Sequence, residues 1–341
     1  KMAFRPSMNP QDEYLLLDGT STFSHGHIDG NSVPRLTWRN HLWIHESDYI
    51  KNTPRYHNGV VVTRDGVQEE PAPLTVLDYA ADFRNAGFSR STIDDFNGAA
   101  WSRTIAWKKG KYFLFLDTVK ARTPGDYRLE CRWRCPGEGS LKGNEYRVSQ
   151  GDLSLFIRSA DDASRSITHE SDYSVNAGNY TPGGGRHGIC YARTELPLQT
   201  NGKYTFANLL SVEGGSAAEK KELYRAGEGA YVIREGGAAG IIGIDPAFLA
   251  GKIATDAQLY TLDPTGLTMV NVTGFTYGDI SIESPAPVHL TLDFQKLTGR
   301  LLVPEQAAGA FKIRGIMVSA ARTGKETGEG IITLAPGSYA V

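Results

Sequence analysis

Residues Lys111–Asp117 read Lys-Tyr-Phe-Leu-Phe-Leu-Asp, with five apolar residues in succession between two charged ones. An apolar run this short suits a strand buried on both faces, so it reads as the core of a sheet. Similar segments rich in Val, Ile, Tyr, Phe and Trp recur along the chain, separated by Gly, Asn, Asp and Pro at the spacing of all-β sandwiches. They predict strands at Tyr14–Leu17, Val33–Trp38, His41–His45, Val60–Thr63, Trp101–Lys108, Tyr112–Val119, Tyr127–Arg134, Leu153–Arg158, Tyr204–Ser211 and Ala230–Arg234. Helical patterning is confined to Val76–Ala86 and Ala217–Arg225, the latter containing good helix formers in Ala217-Ala218-Glu219-Lys220-Lys221-Glu222-Leu223. After a boundary near Ala238–Thr255, alternation resumes at residues 257–262, 267–272, 288–293 and 331–339. The expected organisation is therefore a large β domain over residues 1–250 and a small β domain over 251–341, with no repeat of fixed period.

The histidines are the chemical clue. Five of the eight fall at His25, His27, His41, His45 and His57, and imidazole is the commonest neutral-pH metal ligand and general base. Leu36-Thr37-Trp38, Arg39-Asn40 and His41-Leu42-Trp43-Ile44-His45 read as a hairpin, in which alternation puts His41, Trp43 and His45 on one face and turns Leu42 and Ile44 to the core. His41, at the turn, reads as a solvated residue. The isolated His169, His187 and His289 read as surface or hydrogen-bonded side chains. For His25, His27, His45 and His57 the residues alone leave two readings open, ligands converging on one ion or hydrogen-bonded histidines gathered at a sandwich edge.

Other features exclude more than they assign. Lys plus Arg number 36 against 38 Asp plus Glu, and no block of like charge is long enough to be a nucleic-acid arm, so nucleic acid is not an expected partner. No run of about 18 apolar residues suggests a membrane helix, and the opening Lys1-Met2-Ala3-Phe4-Arg5 has no signal-peptide core; a Lys before Met suggests a fragment. Cys131, Cys135 and Cys190 leave room for at most one bridge with one thiol over. The Gly-rich run at residues 181–188 lacks the Lys-Ser/Thr and following helix of a phosphate cradle, and reads as a loop.

Four ordered blocks carry a resemblance. Tyr14-Leu15-Leu16-Leu17-Asp18-Gly19, Ser24-His25-Gly26-His27-Ile28-Asp29-Gly30-Asn31-Ser32, Leu42-Trp43-Ile44-His45-Glu46-Ser47-Asp48-Tyr49 and Tyr56-His57-Asn58-Gly59-Val60-Val61-Val62 resemble the heparinase II/III-type polysaccharide lyases. In order they are similar to that family's strand, its HGHxDxN motif, its buried strand ending in an acidic metal ligand, and its HN motif. The segment from Ser102-Arg103-Thr104 to Asp117 matches more weakly.

The resemblance implies a two-layered antiparallel β-sandwich followed by a small C-terminal β domain, an all-β chain that in the family follows an N-terminal helical toroid. It implies β-eliminative cleavage of a uronic-acid polysaccharide, glycosaminoglycan or alginate-like, outside the cytoplasm (periplasmic or extracellular). A base takes the C5 proton, the carboxylate is neutralised and the C4–O4 bond breaks, tasks suited to His, Tyr, Asn and Arg, with no organic cofactor. Carried over by position, His25 is the catalytic residue reaching substrate, and His27 and His57 are metal ligands. His45 stands where many relatives have aspartate; three imidazoles would favour a structural Zn2+ and put calcium in doubt, with Asp48 as the fallback ligand. Asn31 and Asn58, buttressing these loops, join Arg35, Arg55 and Tyr56 as expected substrate-side residues. In the family the catalytic tyrosine comes from the toroid, so this chain by itself is expected to be inactive or crippled. Two further classes stay open: a noncatalytic carbohydrate-binding sandwich, and a mononuclear iron oxygenase using His27-Ile28-Asp29 with His169 or His187.

Overall fold

A computed structural model describes residues 1–21, 28–46, 53–171, 186–214, 220–244, 253–277, 280–296, 298–304, 312–314, 316–321 and 327–334. His25, His27, Asp48 and most of the 181–188 loop lie outside the described residues. The chain is all-β, as expected, and divides into two compact units, Lys1–Ala218 and Glu219–Val341.

In the first unit the strands are β1 Met2–Phe4, β2 Tyr14–Leu17, β3 Arg35–Trp38, β4 His41–His45, β5 Val60–Arg64, β6 Val67–Gln68, β7 Val76–Asp82, β8 Ala86–Phe96, β9 Ala99–Lys108, β10 Tyr112–Ala121, β11 Gly125–Pro136, β12 Gly139–Lys142, β13 Glu145–Gln150, β14 Leu153–Ser159, β15 Ser164–Ser171, β16 Arg186–Leu198 and β17 Lys203–Gly214. One layer is an eight-stranded sheet ordered β12-β13-β14-β17-β10-β9-β8-β7. Two sheets face it, a five-stranded one ordered β15-β16-β11-β5-β6 and a four-stranded one ordered β1-β2-β3-β4. Every strand pair is antiparallel.

The apolar run lies in β10 at the middle of the large sheet, and Phe113, Leu114, Phe115 and Leu116 are all buried. Phe115 meets Trp133 of β11 edge to face with ring centroids 5.0 Å apart, and Phe113 takes Trp38 of β3 and Phe4 of β1 at 6.2 Å each. One strand thus bonds both covering sheets to the large one, through aromatic pairs that add to plain area burial. Cys131, Cys135 and Cys190 are free thiols within this core, so the one bridge the sequence allowed does not form. Burial pushes the Cys190 thiol up to about 12, which keeps it protonated and unreactive.

Three sequence expectations need correction. Val76–Asp82 is an edge strand, with Tyr79 and Ala81 buried between exposed neighbours; this period of two prevails over its helical reading. Lys221–Gly227 is likewise a strand, pairing Leu223 with Ile233, so tertiary pairing overrides the helix formers beside it. The border between units falls at Ala218/Glu219, earlier than the expected 250/251. Strands Lys221–Gly227, Ala230–Glu235 and Ala238–Ile244 hydrogen-bond onward to Leu259–Asp263 and so belong to the second unit's sheet. That unit has its own core, centred on Tyr260, Leu262, Met269, Val272, Phe275, Val288 and Leu290. No helix among the described residues is long and apolar enough to cross a membrane.

Truncating Phe115 to Ala removes the ring that joins the layers. The expected loss is about 3–5 kcal/mol, typical of Phe→Ala in a core, seen as a lower urea midpoint for the first unit's transition with the second unit's unchanged.

Candidate metal centre

The β3–β4 hairpin turns at Arg39-Asn40, both with positive φ (51° and 61°), the backbone of a tight turn whose twist matches its strands. Pairing runs Trp38 to His41, Thr37 to Leu42, then Leu36 to Ile44 and Arg35 to His45, so Trp43 is an extra residue in β4. This bulge resets the alternation. Leu42 therefore shares the outer face with Thr37 and is only half-buried, while Trp43 and Ile44 are buried in the core, where Trp43 Nε1 donates to Trp38 O at 2.8 Å. His41 is half-buried, stacked on Trp43 with its Nδ1 2.7 Å from Arg39 O.

Beyond the bulge, His45 lies opposite Arg35 on the outer face, and the next residue, Glu46, turns inward. The inward carboxylate meets His57: Glu46 Oε2 lies 3.4 Å from His57 Nδ1, and Glu46 Oε1 accepts from the Asn58 backbone N–H at 3.2 Å. Asp29 completes the group. Asp29, Glu46 and His57 are all buried, and each offers a ligand atom within 4.8 Å of those of the other two. His45 is not among them; its ring lies 6.3 Å from that of His187, which is itself buried on β16 rather than at the surface.

Neither nitrogen of the His57 ring has a hydrogen-bond partner among the described residues, although the residue is 4% exposed. A buried imidazole beside two buried carboxylates, with only the 3.4 Å Glu46 contact on Nδ1 and nothing on Nε2 among the described residues, is costly unless a cation or a proton is held there. Burial acts to lower the His57 pKa, but the Glu46 carboxylate, then Asp29 and Asp18, outweigh it and leave it raised above the ordinary value. Two carboxylates and an imidazole at this spacing are a donor set that fits a divalent cation.

The loops bearing these groups are fixed from beneath by one buried ion pair. Arg103 of β9 and Asp117 of β10 are both fully buried, with Nε–Oδ1 at 2.7 Å and Nη2–Oδ2 at 3.1 Å. Trp101 Nε1 also donates to Asp117 at 3.0 Å. The remaining guanidinium nitrogen, Nη1, donates to Asn31 O at 2.8 Å and Asn58 O at 2.9 Å, so one side chain ties together the two loops that carry Asp29 and His57. Asn31, at φ 63°, exchanges bonds with Ser91, whose hydroxyl donates to Asn31 Oδ1 at 2.6 Å. The Asn58 side chain donates to Val33 O at 3.0 Å and accepts from Arg134 N at 2.6 Å. Gly59 follows because a Cβ there would come within 2.7 Å of the Trp101 ring.

Asn31 and Asn58 are therefore framework; fully buried, they present nothing for a substrate to touch, which corrects their assignment to the substrate side. Arg55 is exposed and donates to its neighbour Tyr56 Oη at 2.6 Å, with Arg132 Nη1 holding the Arg55 carbonyl below. Arg35 is half-exposed on the outer face of the four-stranded sheet. The sequence reading missed Glu46 as the partner of His57, weighed Asp29 only in an oxygenase triad, and gave Arg103 and Asp117 little weight. Among the described residues the group around Asp29 contains neither His169 nor His187, and His27 of the oxygenase triad lies outside the described residues.

Solved structures share this fold. The chain is similar to a heparan sulfate lyase of Pedobacter heparinus at TM-score 0.57 and 15% identity, covering 71% of this chain and 41% of that one. A heparinase III with methylated lysines aligns at TM-score 0.55 and 11% identity over 76% of this chain and 40% of its own. Another heparinase III structure aligns at 0.53 and 9% over 79% and 40%. The resemblance expected from the four sequence blocks thus holds at the level of fold. The sequence matches no family profile and no curated protein. This chain spans about two-fifths of the length of those structures.

Two outcomes are expected. Arg103→Met or Asp117→Asn leaves its partner buried and uncompensated, a loss of about 3–5 kcal/mol measurable by denaturant titration. In protein stripped of metal, the raised His57 pKa means that protonation stabilises the fold fully below about pH 6.5 and that this contribution is lost as pH rises through the folded-state value. The thermal midpoint should fall across that window in chelator, and Glu46→Gln should flatten the slope.

Proposed function

We propose that this chain is the β-sheet part of a polysaccharide lyase that cleaves a uronic-acid-containing polysaccharide by β-elimination and carries a structural metal site. The observation that carries the reading is the buried Asp29–Glu46–His57 group, set in a sandwich that shares its fold with heparan sulfate and heparinase III lyases. The proposed ligands are Asp29, Glu46 and His57, joined by His27 from the adjoining segment. This replaces a set of three neutral imidazoles with a mixed carboxylate and imidazole set, for which zinc remains the first candidate.

The cation's contribution is electrostatic and structural, holding the loop of Asp29 against that of His57. His25 is proposed to reach the substrate, two positions before the proposed ligand His27 in the sequence. Proton abstraction at C5 needs stabilisation of the developing enolate charge, and Arg55, Tyr56 and Arg35 are the candidates nearest these loops to meet the uronate. The match to two-fifths of the solved lyases supports a division of labour in which a helical domain supplies the remaining catalytic groups. Export to the periplasm or beyond is part of the same proposal.

Elemental analysis of the purified chain and of Asp29→Ala, Glu46→Ala, His57→Ala and His27→Ala tests it. The expected result is about one zinc per chain, reduced at least tenfold in each variant, with a fall in thermal midpoint when a chelator removes it. Metal-free protein under every preparation would remove the reading and favour a noncatalytic sandwich.

A further inference from the structure

The outer face of the four-stranded sheet bears a cavity of about 600 Å³, within the range of about 300–1,000 Å³ typical of ligand sites. Arg5, Tyr14, Arg35, Thr37, His41 and Leu42 line it. Register arranges them in two rows: Tyr14, Thr37 and Leu42 are cross-strand partners, and so are Leu16, Arg35 and His45 one step further along. The first row is capped by Arg5, whose guanidinium lies 5.3 Å above the Tyr14 ring. The second ends at His45, the residue before Glu46.

The charges in this cavity are unequal in what they have left to give. The Arg35 side chain makes no hydrogen bond or ion pair among the described residues, and the Arg5 guanidinium spends only Nε, on Ser7 O at 2.9 Å. Of the two carboxylates at the wall, Glu13 is 2% exposed and committed, accepting from Trp107 Nε1 at 2.8 Å and Gly110 N at 2.5 Å. Asp12 takes the Ser7 hydroxyl. Two guanidiniums with open donors thus flank a tyrosine ring and a hydroxyl in a polar hollow. Guanidinium forks match carboxylate and sulfate groups, and an aromatic ring supports a sugar face.

We propose that this cavity is an anionic-sugar subsite, in which Arg5 and Arg35 hold the acidic groups and Tyr14 the ring of a bound saccharide. The subsite rests on the polysaccharide reading above and extends it. An acidic chain seated here lies on the same sheet face as His45, the residue before Glu46.

Isothermal titration of the full chain tests this with three probes: an unsulfated glucuronate-containing tetrasaccharide, its sulfated counterpart, and neutral cellotetraose. The result expected is binding of at least one acidic probe and not of cellotetraose, weakened tenfold or more by Arg5→Gln and by Arg35→Gln. Tyr14→Phe should keep the affinity and Tyr14→Ala should lose it. Which acidic probe binds better tells carboxylate from sulfate recognition. Unchanged affinity in both arginine variants, equal binding of cellotetraose, or binding of neither acidic probe would each overturn the subsite. Metal content and circular dichroism on the same samples separate the two ideas. Full metal with arginine-independent binding fails the subsite and leaves the lyase reading standing, whereas arginine-dependent binding without metal does the reverse.

Discussion

Everything distinctive about this chain hangs on the Arg103–Asp117 pair. Two charges taken wholly out of water are repaid only when geometry is near ideal and the remaining donors are used, and here they are. Asp117 receives two guanidinium nitrogens and an indole, and the guanidinium lies 5.1–5.5 Å from the rings of Trp101, Phe115 and Trp133. The donor left over, Nη1, is directed at the backbone carbonyls of Asn31 and Asn58, the second of which also accepts from Val33 N at 3.1 Å. A neutral or shorter side chain at this position would take from the Asn31 carbonyl its Arg103 partner and leave the Asn58 carbonyl only its bond from Val33 N.

The two layers of the sandwich thereby become a support for chemistry at one edge. The large sheet contributes Arg103, Trp101 and Asp117; the covering sheets contribute the loops after β2 and β4. Asn31 and Asn58 lock those loops with side-chain bonds while keeping their own surfaces buried, which leaves Asp29, Glu46 and His57 to face one another. A group with three buried carboxylates in its neighbourhood, Asp18 included, carries an excess of negative charge that Lys1, paired with Asp18 at 2.7 Å, offsets only in part. The divalent cation proposed for this site would complement what remains.

Fold class was legible because β signals are local: a period of two, turn residues, and one apolar run that only a sheet interior accommodates. All ten expected strands exist, and the Arg39-Asn40 turn is where the residues put it. What escaped was set by geometry beyond the local pattern. A single extra residue at Trp43 shifted the phase of β4, so alternation counted from the turn misplaced Leu42 and Trp43. The same effect hid Glu46: with His45 outward, its neighbour supplies the inward carboxylate, and attention to imidazoles passes over it. Arg103 and Asp117 are fourteen positions apart in sequence and act on loops some 45 and 72 positions from Arg103, separations at which composition gives no signal. The unit border was missed for a related reason, since strands at 221–244 look no different from those before them until their pairing is known.

X-ray absorption at the zinc edge, on the purified chain and on Glu46→Ala, reads the proposed donor set directly. The expected result is a mixed shell of oxygen and imidazole nitrogen at about 2.0–2.2 Å, with the oxygen contribution diminished or the metal gone in Glu46→Ala. A shell of imidazole nitrogen alone, or one untouched by loss of Glu46, would contradict it.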